Sequence, residues 1–252
     1  PLYSYNYIDV KAKLYHNLCV IYRNIDLFEK REKQMQIFDI PINSKRMETT
    51  RIGTFDFPLA VHKNDLKKNV LGFVNWHWHY EFQLTYVVRG TISVFFNQQT
   101  IDLHEGQGIY INPEVLHMIR DRYDSDAMFI SLDVSPKLLT SFPNSVFARS
   151  YVRPVFRSPA ADVVVLDPQV PWQKKILDEA MSIEQDYKSR SFGWELAVSS
   201  SLYTIWKELV CHLRESLEEH DAPAADGARL RRNHRIKEIL AYIREHFNEK
   251  IT

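Results

Sequence analysis

Between Ile52 and Leu166 the apolar positions come in short runs rich in Phe, Tyr, Val and Ile. Pro58, Asn64-Asp65, Arg89-Gly90, Asn97-Gln98, Glu105-Gly106, Asn112-Pro113 and Ser135-Pro136 cut them at close intervals. Runs of that length between turn formers predict strands, here over Phe82 to Val88, Thr91 to Phe96, Gln99 to Leu103, Gly108 to Ile111 and Ala127 to Asp133. Many short strands in succession make a barrel or a sandwich. After Pro171 the spacing of apolar residues becomes three and four, which predicts amphipathic helices. One stripe is Ile176, Leu177, Ala180, Ile183 and Tyr187; a longer one is Val198, Leu202, Ile205, Trp206, Leu209, Leu213 and Leu217. A helical spacing also joins Leu14, Leu18, Ile21, Tyr22, Ile25 and Phe28, ahead of a charged run at 29–33.

These changes of pattern divide the chain. Residues 1–50 read as an N-terminal helical extension, 51–170 as a β unit, and 171–220 as a helical hairpin whose apolar surface leaves a seam for a second subunit. Residues 221–230, acidic and rich in Ala, Pro and Gly, read as a linker. Residues 231–252 predict one further helix with Ile236, Ile239, Leu240, Ile243 and Phe247 on one face. The chain opens at Pro1 rather than Met, and it ends at Thr252 inside what reads as another domain.

Composition narrows the function classes. Lys plus Arg and Asp plus Glu balance at 32 each, so no global field draws nucleic acid or an anionic membrane, and any basic function must be local. The apolar runs are far shorter than a bilayer span, and no secretory pattern opens the chain. The expectation is a cytoplasmic protein without membrane partners. Cys19 and Cys211 match no metal or redox spacing, which fits buried thiols in a reducing compartment.

The candidate chemistry sits in the stretch from Trp76 to Leu84. On one continuous strand, alternation puts His77, His79, Glu81 and Gln83 on one face, with Trp76, Trp78, Tyr80, Phe82 and Leu84 on the other as core. Two imidazoles and two polar groups in an inward row read as the wall of a small-molecule site. Gly90 follows Gln83, and Gly106 and Pro113 lead on to His117. The spacings His-x-His-x3-Gln-x6-Gly and Gly-x6-Pro-x3-His resemble the two motifs of the cupin barrel. More specifically, the run from Trp76 through Gly90, with Leu103 to His117, resembles the ligand-sensing domain of AraC-family transcription regulators. The tail from Arg235 to Thr252 looks like the first helix of that family's helix-turn-helix DNA-binding domain. The resemblance covers roughly residues 52–252.

The resemblance implies a mainly β fold, a jelly-roll-like cupin barrel followed by a helical hairpin, and a homodimer that binds DNA in the full-length protein. It implies an effector-sensing role rather than an enzyme. Carried over to this sequence, it makes His77, His79, Gln83 and His117 the pocket candidates, with Glu81 and Tyr110 added from strand alternation. Arg231, Arg232 and Arg235 are candidates for phosphate contact, although no recognition helix follows them here. The family's first motif has Glu where this chain has Gln83, a neutral and weak ligand. Metal-free sensing of a sugar or related polar metabolite is therefore the first expectation, with no cofactor. The alternative is a metal-dependent cupin enzyme, a dioxygenase or isomerase, holding a divalent ion on His77, His79 and His117 with Glu81 as the carboxylate. His62, His104 and His212 gain nothing from the motifs.

Overall fold

The computed structural model describes residues 35–218, with side chains to residue 215. The chain divides into two units, residues 1–36 and 37–252, and everything below concerns the second. Two antiparallel sheets form its body. One has the order β1 (Leu59–Asp65), β8 (Met128–Val134), β3 (Phe82–Arg89), β6 (Gly108–Ile111) and β9 (Val163–Leu166); the other has β2 (Phe73–His77), β7 (His117–Asp121), β4 (Thr91–Phe96) and β5 (Gln99–His104). Short helices α1 (Lys137–Thr140) and α2 (Arg153–Arg157) follow, then the long pair α3 (Pro171–Ser189) and α4 (Trp194–Glu218). The barrel followed by a helical pair is the architecture that the pattern predicts. No helix among the described residues is long and apolar enough to cross a membrane.

Strand β3 explains how the barrel is filled and covered. Its inward positions run Gln83, Thr85, Val87, so one end of the interior is polar and the other apolar. At the apolar end Val87 joins Ile92, Val94, Leu103, Ile109 and Phe129 in the main core. Its outward residues Phe82 and Tyr86 are also buried, because helices cover that face. Trp206 of α4 lies 5.4 Å from the Phe82 ring and 6.2 Å from that of Tyr110. The Tyr86 hydroxyl donates to Glu184 of α3, and Lys188 pairs with the same carboxylate at 2.7 Å. Val198, Leu202, Ile205, Trp206 and Leu209 are buried in this packing. That part of the long stripe is therefore core rather than a seam between subunits. Cys211 is an exposed thiol, not a buried one.

The inward row is not one strand. Strand β2 ends at His77 in one sheet and β3 begins at Phe82 in the other, so residues 78–81 form the corner between sheets. Trp78 anchors that corner, with its indole N–H donating to the Lys45 carbonyl at 2.8 Å. Tyr80 is consequently exposed at 58% instead of packed. Strands β1, β2, β7 and β9 lie beyond the five predicted runs.

Most of the expected helical extension over 1–50 lies outside the described residues. So do the linker at 221–230, the helix over 231–252, and Arg231, Arg232 and Arg235. Residues 37–50 are described and are not helical. They pair locally, Ile42 with Glu48, and dock on the corner through a parallel bridge from Met47 to Trp78. Ile37 and Ile42 pack on the apolar core, which outweighs the weak local preference for helix.

Candidate functional site

Three histidines meet at the polar end of the barrel. His77 closes β2 opposite His117, which opens β7, and their rings stand 4.2 Å apart. His79, on the corner, brings its ring within 5.6 Å of His77 and 5.4 Å of His117. One ring nitrogen from each lies within 4.8 Å of the others. The Nδ1 atoms are tied to the main chain, His77 to the Asn75 carbonyl at 2.8 Å, His79 to that of Glu81 at 2.9 Å and His117 to that of Val115 at 2.9 Å. A carbonyl only accepts, so each Nδ1 carries the proton and each Nε2 is left to the interior. Backbone bonds of this kind fix the tautomer and orientation of imidazoles that act as ligands.

The Gln83 amide oxygen stands 3.1 Å from Nε2 of both His79 and His117, while its nitrogen donates to the Thr85 hydroxyl at 2.8 Å. The two contacts are not equivalent. Burial lowers His79, but nearby Asp133 and Glu48 and the bond to Gln83 outweigh it and raise its pKa. Its Nε2 faces the amide oxygen at 3.1 Å. Burial and the neighbouring His77 and His79 hold His117 well below the usual range. Burial with His79 takes His77 down to about 3. Those two rings are neutral, and Nε2 of His117 stands within hydrogen-bond reach of the Gln83 amide.

Opposite them the chamber is acidic. A cavity of about 20 Å³ lies between His77, Gln83, Glu48, His62 and Asp133, with Ile37, Ile40, Val74, Ile119 and Phe129 closing its sides. Glu48 Oε2 is 3.8 Å from His77 Nε2, both side chains nearly wholly buried. His62 Nε2 is 3.4 Å from Asp133 Oδ2, yet neither it nor Asp133 Oδ1 has a hydrogen-bond partner among the described residues. Burial raises Asp133 to about 7, opposed by His79 and assisted by Glu48 and Glu81. Buried polar atoms without partners are rare and mark an unfilled demand. No Lys or Arg among the described residues lines the cavity.

The structure thus brings His77, His79, Gln83 and His117 together. Two other candidates from the sequence lie elsewhere. Glu81 is partly exposed, with its carboxylate 4.0 Å from the Nδ1 side of His79, away from the shared centre. Tyr110 pairs in register with Leu84 and faces the helices, where its hydroxyl donates to Asn112. Three residues of the chamber carried no sequence assignment. Asp133 sits opposite Gln83, and His62 opposite Ser131, so placing β8 beside β3 and β1 beside β8 would have turned both inward. Glu48 carried no such signal, because it lies on an irregular segment.

Residues 69–203 match the family described as the AraC-like ligand binding domain. A Bacillus subtilis (strain 168) protein, named as the uncharacterized HTH-type transcriptional regulator YdeC, is 32% identical over 218 residues, 86% of this chain and 71% of that one. Among solved structures, the AraC-like transcriptional activator CuxR aligns with a TM-score of 0.35 at 11% identity, over 52% of this chain and 41% of its own. A cupin 2 conserved barrel domain protein from Salinispora arenicola CNS-205 aligns with a TM-score of 0.24 at 16% identity, over 25% of this chain and 54% of its own.

Proposed function

The chain belongs to the AraC-like ligand binding domain family, and from that membership we propose that it is the effector-sensing part of a transcription regulator. In this reading, the polar end of the barrel reads the effector through His77, His79, Gln83 and His117. The observation that carries it is the convergence of three imidazoles within 4.8 Å, each with Nδ1 committed to a main-chain carbonyl. DNA binding then belongs to the part of the protein that begins near Arg231, Arg232 and Arg235. The sensor acts by linkage: a ligand held more tightly in one arrangement of the domain favours that arrangement by its difference in affinity.

Size narrows what reaches the row. A cavity of about 20 Å³ holds a water or a single ion, whereas sites for small organic ligands run to roughly 300 Å³ and more. A divalent transition metal suits the donors of the histidine cluster, since imidazole favours zinc, copper, iron and nickel. Such an ion would be held by His77, His79 and His117 and would supply a fixed positive charge. A sugar would have to displace segment 37–48, which contributes Ile37, Ile40 and Glu48 to the lining.

A thermal-shift panel of zinc, nickel, cobalt and manganese salts, with pentoses, hexoses and organic acids in parallel, tests the reading. A rise in melting temperature with a metal, lost in His117→Ala, is the expected result. A rise with a sugar alone would keep the sensor and replace the effector class. No shift with any compound would sink the sensing role of the barrel.

A further inference from the structure

Beside the histidine cluster, two buried carboxylates line one cavity that has no Lys or Arg among its described lining. We infer that the chamber between Glu48 and Asp133 is a site for an ammonium group, as the free ion or as the headgroup of a primary amine. The inference deepens the effector-sensing reading above and rests on it for what binding would mean. It does not involve the histidine centre as such, because His79 and His117 are not in the lining. Two polar pairs meet in the chamber from different parts of the fold. His62 of β1 and Asp133 of β8 stand 3.4 Å apart, Nε2 to Oδ2. His77, at the end of β2, and Glu48, on the segment before the barrel, stand 3.8 Å apart, Nε2 to Oε2. Asp133 is 5% exposed, and its Oδ1 has no hydrogen-bond partner among the described residues. Buried carboxylates are costly unless a positive or donating group meets them.

Spacing decides between a metal and a hydrogen-bonding cation. Ligand atoms on one transition metal lie at most about 4.2 Å apart, twice a bond of ~2.1 Å. Among the described residues, only His77, His79 and His117 bring three such atoms within 4.8 Å of one another, and Glu48, His62 and Asp133 join no such group. Acceptors around an ammonium nitrogen stand ~2.9 Å from it, so two of them can lie up to about 5.8 Å apart. The two carboxylates can therefore share an ammonium group without converging as metal ligands must. A hard divalent ion takes six or more oxygens or keeps its own waters, and Ile37, Ile40, Val74, Ile119 and Phe129 in the lining offer none. A cavity of about 20 Å³ takes one heavy atom, which is the size of the ammonium ion. The carbon of a primary amine would extend along the apolar walls. Ser131 and Asn64 add neutral polar groups to the same lining, joined by the Asn64 amide donating to the Ser131 hydroxyl at 3.3 Å.

The full chain, stripped with EDTA and held in sodium phosphate rather than an amine buffer, can be melted against rising ammonium, methylammonium and ethanolamine chlorides. Potassium and tetramethylammonium chlorides at equal ionic strength supply cations without an N–H. The expected result is a saturable rise in melting temperature with the N–H cations and none with the other two. A response to ammonium alone identifies the free ion, and a stronger response to the amines identifies a headgroup; either supports the site. Glu48→Gln and Asp133→Asn should each weaken the apparent affinity at least ~10-fold, the scale of one hydrogen bond to a charged group. Glu105→Gln, an exposed control, should match the wild type. An equal rise with potassium or tetramethylammonium, or an unchanged response in both carboxylate variants, overturns the inference. A chain that responds to zinc and to no N–H cation loses the ammonium site and keeps the histidine reading; a chain that responds to neither these nor the sugars and acids loses both. Should the two variants fail to fold, nitrogen-15 ammonium added to the wild type serves instead. A bound resonance in contact with the Phe129 ring supports the site, and its absence overturns it.

Discussion

Asp133 is where the chamber works against the fold. Its carboxyl is buried, and one oxygen has no hydrogen-bond partner among the described residues. Burial, with Glu48 nearby, lifts its pKa to about 7 against the opposing pull of His79, while an unfolded chain would release the proton near ~4. Between those values the folded state keeps a proton that the unfolded state has lost, so stability falls as pH rises through this window and levels off above about 7. Asp133→Asn carries no such proton. Its expected behaviour is a higher urea midpoint than wild type at pH 8 and a difference close to zero at pH 4. A variant weaker at both values would show that the carboxylate is satisfied by something inside the barrel. The same side chain explains what sequence reading can and cannot reach at this scale. His77, His79, Gln83 and His117 were legible because their spacing with Gly90 and Pro113 is a local pattern. Asp133, His62 and Glu48 join them only through strand order and a docked segment, which spacing does not encode.

At the scale of elements, polar lining hides strands. On β1 the inward positions are Ala60, His62 and Asn64, and on β7 they begin at His117, so the alternation of apolar and polar residues fails where the chamber needs polar groups. Strands β3, β4 and β6 line the apolar part or are buried on both faces, and their apolar runs are plain. The turn between β7 and β8 shows how an element end is held instead by one carboxylate. Burial would raise Asp121, but the N–H groups of Ala127 and Ser125 and the Ser125 hydroxyl outweigh it and hold its pKa below the usual range. The same turn receives Gly90, whose φ is +76° and whose added Cβ would stand 2.7 Å from the Ser125 carbonyl oxygen. Two changes follow from this geometry. Asp121→Ala should lower stability by about 1–2 kcal/mol near neutrality, the low end for bonds to a charged group because the turn is partly exposed. Since the folded pKa is depressed, that difference should shrink as pH falls through it. Gly90→Ala should cost about 1–3 kcal/mol through the left-handed backbone and the contact together. Urea melts at pH 7 and pH 3 would measure both, and a Gly90→Ala chain as stable as wild type would mean that the turn relaxes freely.

For the whole molecule the open question is what the helices present once the barrel has taken one face of them. Val198, Leu202, Ile205 and Leu209 are spent on the core, so a second subunit would have to use other positions. Leu196 and Tyr203 lie seven residues apart on α4, two turns along one side of the helix, and both are exposed. Tyr203 continues into Phe147, ring to ring at 5.8 Å, and Tyr151 is exposed one helical turn further along that segment. Contiguous exposed apolar surface of this kind is uncommon on a chain that works alone, and a two-fold contact through a single helix face needs only that the face complement itself. The expected state is therefore a homodimer joined through Leu196, Tyr203 and Phe147, and not through the buried stripe. Light scattering of the full chain should give twice the monomer mass, and the double variant Leu196→Glu with Tyr203→Glu should give the monomer with its melting temperature little changed, since neither side chain supports the core. A wild-type monomer at high micromolar concentration would remove this surface from the mechanism.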